Sequence, residues 1–75
     1  MPEDPGKVVH SPLSGTVCDI LVSTGSVISA NDELIVVEAM KMEIPVEAPL
    51  AGTVAEVLVT IGQRVAEGDR LLVLQ

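Results

Sequence analysis

The apolar residues of this chain come in short bursts broken by glycine, proline and Asx residues. Eight bursts can be marked: Lys7–Ser11, Gly15–Val22, Ser26–Ile28, Leu34–Glu38, Met42–Glu47, Gly52–Val59, Gln63–Val65 and Arg70–Leu74. All are rich in Val, Ile or Leu and bounded by turn formers, the pattern of short half-buried strands. The two longest do not alternate simply. Val17, Ile20 and Val22 are spaced three then two, as are Val54, Val57 and Val59; this predicts a bulge or bend that redirects the inward face. Val54, Val57, Leu58, Ile61 and Val65 also fit one face of a helix. Gly62 and Gly68 interrupt that segment and its β-branched content is high, so strands are the better reading.

The eight bursts are two sets of four. Displaced by 37 positions, residues 9–38 lie over 46–75 without a gap, with twelve identities in thirty pairs. Ser11-Pro12-Leu13-Ser14-Gly15-Thr16-Val17 falls on Ala48-Pro49-Leu50-Ala51-Gly52-Thr53-Val54, and Asp32, Leu34 and Val36 fall on Asp69, Leu71 and Val73. Asn31 stands where the second copy has Gly68. Asn is the side chain that best tolerates the left-handed conformation glycine adopts freely, so the pair points to one shared turn. Neither copy holds enough apolar surface to fold alone, and a common core related by a pseudo-twofold axis is expected. The segment between the copies, Glu38–Glu43, then joins Leu34-Ile35-Val36-Val37 to Ile44-Pro45-Val46 as a β-hairpin with Ala39–Met42 at its tip. As the junction of the copies it is expected near the axis and outside the core.

Composition narrows the partners. The chain has 75 residues, enough for one small domain with a thin core. Phe, Tyr and Trp are absent, so that core must be aliphatic. A net charge of −7 opposes binding to nucleic acid or to an anionic membrane surface and favours a soluble, monomeric domain. No apolar run approaches the roughly 20 residues of a membrane span. Residues 1–6, with two prolines and a glycine, read as a flexible tail that lacks the features of a signal peptide, and residues 7–75 as the domain. One cysteine permits no internal disulfide, which fits a reducing space such as the cytoplasm or an organelle interior.

Few residues could carry chemistry. His10 has no second His, Cys or carboxylate cluster at ligand spacing, so no metal is expected, and no catalytic constellation or phosphate loop is present. Cys18 matches Ala55 in the repeat and reads as a packed or half-exposed small side chain. Lys41 is different: it sits at the expected hairpin tip between Met40 and Met42, with Ala39 and Glu38 before it. Unbranched, polarizable methionines at an exposed tip suit contact with more than one partner, and a small Ala39 lets a partner approach the backbone. A lysine is protonated at neutral pH, so any enzyme that modifies Lys41 must first take its proton. Lys7, the other lysine, has no such neighbours and reads as an ordinary solvated side chain.

Glu38-Ala39-Met40-Lys41-Met42 resembles the attachment motif of biotinyl domains, the carrier modules of biotin-dependent carboxylases. Gly15-Thr16-Val17, Gly25, Asp32, Leu34 and Gly52-Thr53-Val54 extend the likeness over residues 8–75. The resemblance implies an all-β fold: a flattened barrel or sandwich of two four-stranded sheets with pseudo-twofold symmetry. It implies biotin in amide linkage to Lys41, with Glu38, Ala39, Met40 and Met42 as recognition residues. It also implies three partners, a biotin–protein ligase, a biotin carboxylase and a carboxyltransferase. The module would carry a carboxyl group between the last two without catalysing either step. Two other readings stay open on the residues alone. A lipoyl domain shares the fold, but usually has an acidic residue directly before the lysine, where this chain has Met40. An unmodified structural module would have no use for methionines on both sides of a tip lysine.

Overall fold

A computed structural model describes residues 8–75; the tail expected at 1–6, and Lys7, lie outside the described residues. Eight strands follow one another: β1 (Val8–His10), β2 (Gly15–Ile20), β3 (Val27–Ile28), β4 (Glu33–Ala39), β5 (Met42–Glu47), β6 (Gly52–Val57), β7 (Arg64–Val65) and β8 (Arg70–Leu74). No helix is present among the described residues, which settles the ambiguous spacing of Val54–Val65. β2 and β6 end at Ile20 and Val57, two residues before the expected Val22 and Val59. Beyond them the backbone pairs once more, Leu21 N–H donating to Leu34 O and Leu58 N–H to Leu71 O, and then turns away.

The strands form two antiparallel four-stranded sheets, in the orders β1-β8-β6-β3 and β5-β4-β2-β7. Displacing each label by four converts one sheet into the other, so the pseudo-twofold expected from the repeat relates the sheets. Each sheet takes two strands from each copy of the repeat. The copies are therefore interlaced and not merely stacked, which is why neither can fold without the other.

The irregular spacing of the long strands has its predicted cause. In the β2–β4 ladder Val17 faces Val37 and Asp19 faces Val36, leaving Cys18 as the extra residue of a bulge. Ala55 is the extra residue between Val54 and Glu56 in the β6–β8 ladder. Leu34 and Leu71 are skipped in the same way where β4 meets β5 and β8 meets β1. Bulges add local twist, and here they bring consecutive leucine and isoleucine side chains inward. Leu34, Ile35, Leu71 and Leu72 are all fully buried. The core is almost entirely made of repeat pairs: Val9 with Val46, Val17 with Val54, Ile28 with Val65 and Val37 with Leu74. One pair breaks chemical symmetry. Ser11, buried where its twin is Ala48, turns its hydroxyl to donate to Leu13 O at 2.6 Å, so the buried polar atom is satisfied.

Backbone hydrogen bonds tie each copy's turns to the other copy's strands. Asn31 N–H donates to Ala48 O and Ala48 N–H to Asp32 O; Gly68 N–H donates to Ser11 O and Ser11 N–H to Asp69 O, all at 2.8 Å. Gly25 and Ser26 are bonded to Val54 as Gly62 and Gln63 are to Val17. Asp32 and Asp69 also close their own turns, accepting from Ser29 N–H and Ala66 N–H at 2.8 Å, which accounts for an aspartate in both copies. Asn31 (φ 72°) and Gly68 (φ 91°) share the left-handed conformation, as their alignment implied.

The hairpin joining the copies is not near the axis. β1 runs into β2 through Ser11–Ser14, and Gly15 lies beside the end of β4. The far ends of β1 and β8, paired through Val8 and Val73, therefore face away from the hairpin. A pseudo-twofold partner of the hairpin would fall where β1 begins and β8 ends, so the tip stands at one end of the domain with no counterpart among the described residues.

No atom lies within 4 Å of a Cβ built on Gly68, so a side chain there meets strain but no clash. Gly68→Ala is expected to cost about 1–2 kcal/mol, the penalty of a left-handed L-residue, measured by urea denaturation.

Candidate functional site

β4 and β5 are paired to their ends, Glu38 against Glu43 and Ala39 against Met42. Only Met40 and Lys41 remain to make the turn. A two-residue hairpin loop of type I′ matches the strand twist with positive φ at both central positions, and Met40 (φ 53°) and Lys41 (φ 65°) have it. Asn-Gly or Asp-Gly would adopt this turn without strain; two residues with long side chains do so at about 1–2 kcal/mol each. Strain of this kind persists where function demands the side chains.

The turn holds its side chains in water. Met40 is 94% exposed and Met42 63% exposed, and Lys41 is exposed. Neither Met40 nor Met42 belongs to the core. Ala39 is half-buried and Glu38 exposed. The five motif residues thus sit together on one projecting element. Two grooves among the described residues lie elsewhere. One straddles the pseudo-twofold between β1 and β5, lined by Val9, His10 and Pro12 and their twins Val46, Glu47 and Pro49. The other is flanked by Glu56, Arg70 and Val73. Lys41 is presented from a surface and not enclosed in a cleft.

The hairpin is acidic at its base. Glu38 directly opposes Glu43, and Glu33 opposes Glu47 further down the same ladder. Like charges facing each other across strands are destabilising, so the arm carrying Lys41 is held by the sheet in spite of its own electrostatics. Cys18 lies close enough to feel this field. Burial first, and then the carboxylates of Glu43, Glu38 and Asp19, push its thiol above the ordinary cysteine value. A thiol kept protonated is a poor nucleophile and does not compete with Lys41. His10 is exposed on β1, and no cluster able to hold a metal exists among the described residues. No helix is long and apolar enough to cross a membrane.

Sequence reasoning located the motif residues but missed Gly15. A Cβ on Gly15 would lie 2.7 Å from Val37 Cγ1 and closer still to the carbonyl oxygen of Glu38. The sequence placed Gly15 at the start of a strand and within the likeness but gave no sign of this contact, because the approach of β4 depends on the twist of the sheet.

The residues fit a covalently attached prosthetic group. Lys41 is exposed at the apex of a two-residue turn, beyond Glu38, the last residue of β4 that β2 pairs with. Comparison with known proteins points to a biotin-requiring family. The family model described as "Biotin-requiring enzyme" matches residues 2–74. A Biotin-dependent acyl-coenzyme A carboxylase alpha3 subunit from Mycobacterium leprae is 44% identical over 41 residues, covering 55% of this chain and 7% of the relative. The mitochondrial Propionyl-CoA carboxylase alpha chain of Sus scrofa is 39% identical over 41 residues, covering 55% and 6%. Among solved structures, a single-chain, multi-domain long-chain acyl-CoA carboxylase superposes with a TM-score of 0.86 at 40% identity, over 96% of this chain and 7% of that one. Urea Carboxylase of Kluyveromyces lactis superposes with a TM-score of 0.91 at 31% identity, over 100% and 6%. The chain thus spans well under a tenth of the length of these relatives. Its sequence, sheet order and exposed lysine hairpin converge, and the chain belongs to the biotinyl/lipoyl family of biotin-requiring enzymes.

Proposed function

We propose that this domain is a biotin carboxyl carrier, with biotin joined in amide linkage to the Nζ of Lys41. The observation that carries the reading is the strained turn itself: two exposed, long side chains occupy positions where glycine or asparagine would serve the fold better. Membership in a biotin-requiring family and kinship to carboxylases of acyl-CoA and urea support biotin over a lipoyl group, as does Met40 in place of an acidic residue before the lysine. When bound, biotin supplies a nitrogen that accepts a carboxyl group at one active site and releases it at another.

The chain's own residues do the rest. The Lys41 amine becomes the amide nitrogen after a ligase removes its proton, the carboxyl of biotin having been activated by that ligase. Met40, Met42 and Ala39 form the apolar face of the tip offered to the ligase and then to a biotin carboxylase and a carboxyltransferase. Glu38 and Glu43 mark the base of the arm and keep it solvated. The domain binds no acceptor and catalyses neither half-reaction. Its contribution is tethering, which turns each encounter into an intramolecular one with an effective concentration in the mM range for a short flexible link.

Incubation with a biotin–protein ligase, ATP and biotin is expected to add the mass of one biotinyl group, located on Lys41 by peptide mapping. Lys41→Arg, which keeps the charge but cannot be acylated under these conditions, is expected to show no added mass. An unmodified wild-type mass, or modification at another residue, rules the reading out.

Met40→Gly separates the needs of the fold from those of recognition. Glycine relieves the positive φ, so thermal stability is expected to rise, by about 1 kcal/mol. The exposed contact is lost, so kcat/KM for biotinylation is expected to fall. Parallel melting and ligase assays read the two opposite changes.

A further inference from the structure

The two copies of the repeat place the same contact at both sheets, but not at the same distance. Gly15 begins β2 beside the end of β4; its twin Gly52 begins β6 beside the end of β8. A Cβ on Gly52 would sit 3.4 Å from Gln75 O and 4.0 Å from the Leu74 Cβ, an ordinary van der Waals fit. The equivalent atoms at Gly15 belong to Glu38 and Val37. There the Cβ would be 2.7 Å from Val37 Cγ1 and nearer still to the Glu38 carbonyl oxygen, with the Glu38 carbonyl carbon at 3.2 Å. One contact is a backbone oxygen, which cannot rotate away as a side chain can. The end of β4 is pressed onto β2 more closely than the end of β8 is pressed onto β6.

That difference falls at the root of the arm. Glu38 is followed by the half-buried Ala39 and then by the turn residues Met40 and Lys41. Among the described residues the arm has no pseudo-symmetric partner to brace it, and its paired carboxylates Glu38 and Glu43 repel. Its direction is set by the type of turn at the tip and by where β4 leaves the sheet. Gly15 controls the second.

We propose that Gly15 is a positioning residue for Lys41: the absence of a side chain there lets the end of β4 close onto β2 and fixes the direction in which the lysine arm projects. A methyl group at this position pushes the Glu38 carbonyl outward and swings the tip, while the same methyl at Gly52 leaves the tip in place. In its functional part the proposal rests on Lys41 being the biotinylation site.

The test compares Gly15→Ala, Gly52→Ala and the wild type by residual dipolar couplings and by ligase kinetics. In Gly15→Ala, the amide vectors of Ala39–Met42 are expected to reorient relative to the strands of the core, whose own couplings persist. In Gly52→Ala they are expected to stay as in the wild type. For biotinylation, a misaimed amine is expected to lower kcat by at least about tenfold with KM little changed, because the contact face of the tip is retained. A role in stability alone would reduce the folded fraction and leave kcat per folded molecule untouched. Unchanged couplings, equal kcat losses in the two variants, or a reoriented tip with unaltered kcat overturn the proposal. So does a Gly15→Ala chain that does not fold at low temperature, since the glycine is then required by the whole fold and not by the arm. A wild-type domain that no ligase modifies removes the biotin reading, while the dipolar couplings still judge the effect of Gly15 on the arm.

Discussion

The structure depends on a reciprocal exchange of backbone hydrogen bonds between two copies of one unit. The turn at Asn31 and Asp32 is bonded to Ala48 of the second copy, and the turn at Gly68 and Asp69 to Ser11 of the first. The turns around Gly25 and Gly62 grip Val54 and Val17 in the same crossed fashion. A chain this small and without aromatic residues cannot rely on a deep core. Interlacing the copies lets every strand of the thin aliphatic core be covered by strands of the other copy, and it satisfies turn N–H groups that would otherwise be left to water. Asp32 and Asp69 then close each turn from within.

Among the described residues the other strands are paired by the pseudo-twofold, and the β4–β5 hairpin is the projecting element without a counterpart. Its features run against stability. Two L-residues take left-handed conformations, glutamates face each other at two levels of its ladder, and two methionines are turned to solvent. The surrounding shell is regular enough to tolerate all of these. Costs borne at a functional element and supported by the remainder of the fold are a common division of labour in proteins. Acylation of Lys41, in the proposed function, removes the only positive charge between Glu38 and Glu43, so the modified tip becomes more acidic as well as longer.

Relatives that act on acyl-CoA and on urea share this domain's fold and sequence. In the proposed function, the diversity of those acceptors fits a module whose chemistry would be supplied by the attached group and whose own surface would meet enzymes and not acceptor substrates. On that proposal the arm has to be aimed well enough for such enzymes to engage it, and the close approach at Gly15 bears on that aim.

Much of this was legible in the residues. The period of 37 disclosed the symmetry, since two copies of a unit with one backbone shape place the same residue types at equivalent positions; Asn31 opposite Gly68 showed a shared left-handed turn before any coordinates did. The three-then-two spacing of Val17, Ile20 and Val22 implied a bulge or bend in that strand, because strict alternation cannot turn all three inward; the structure places a bulge at Cys18. The cluster Glu38–Met42 declared itself by side-chain chemistry, a local property. Other features were decided by tertiary structure. That the copies trade strands between sheets, that the hairpin stands at one end and not near the axis, and that Gly15 is tighter than Gly52 all depend on how distant strands twist past one another. Sequence carries residue types and their spacing; the distance between Gly15 and the Glu38 carbonyl exists only once β2 and β4 have paired and coiled.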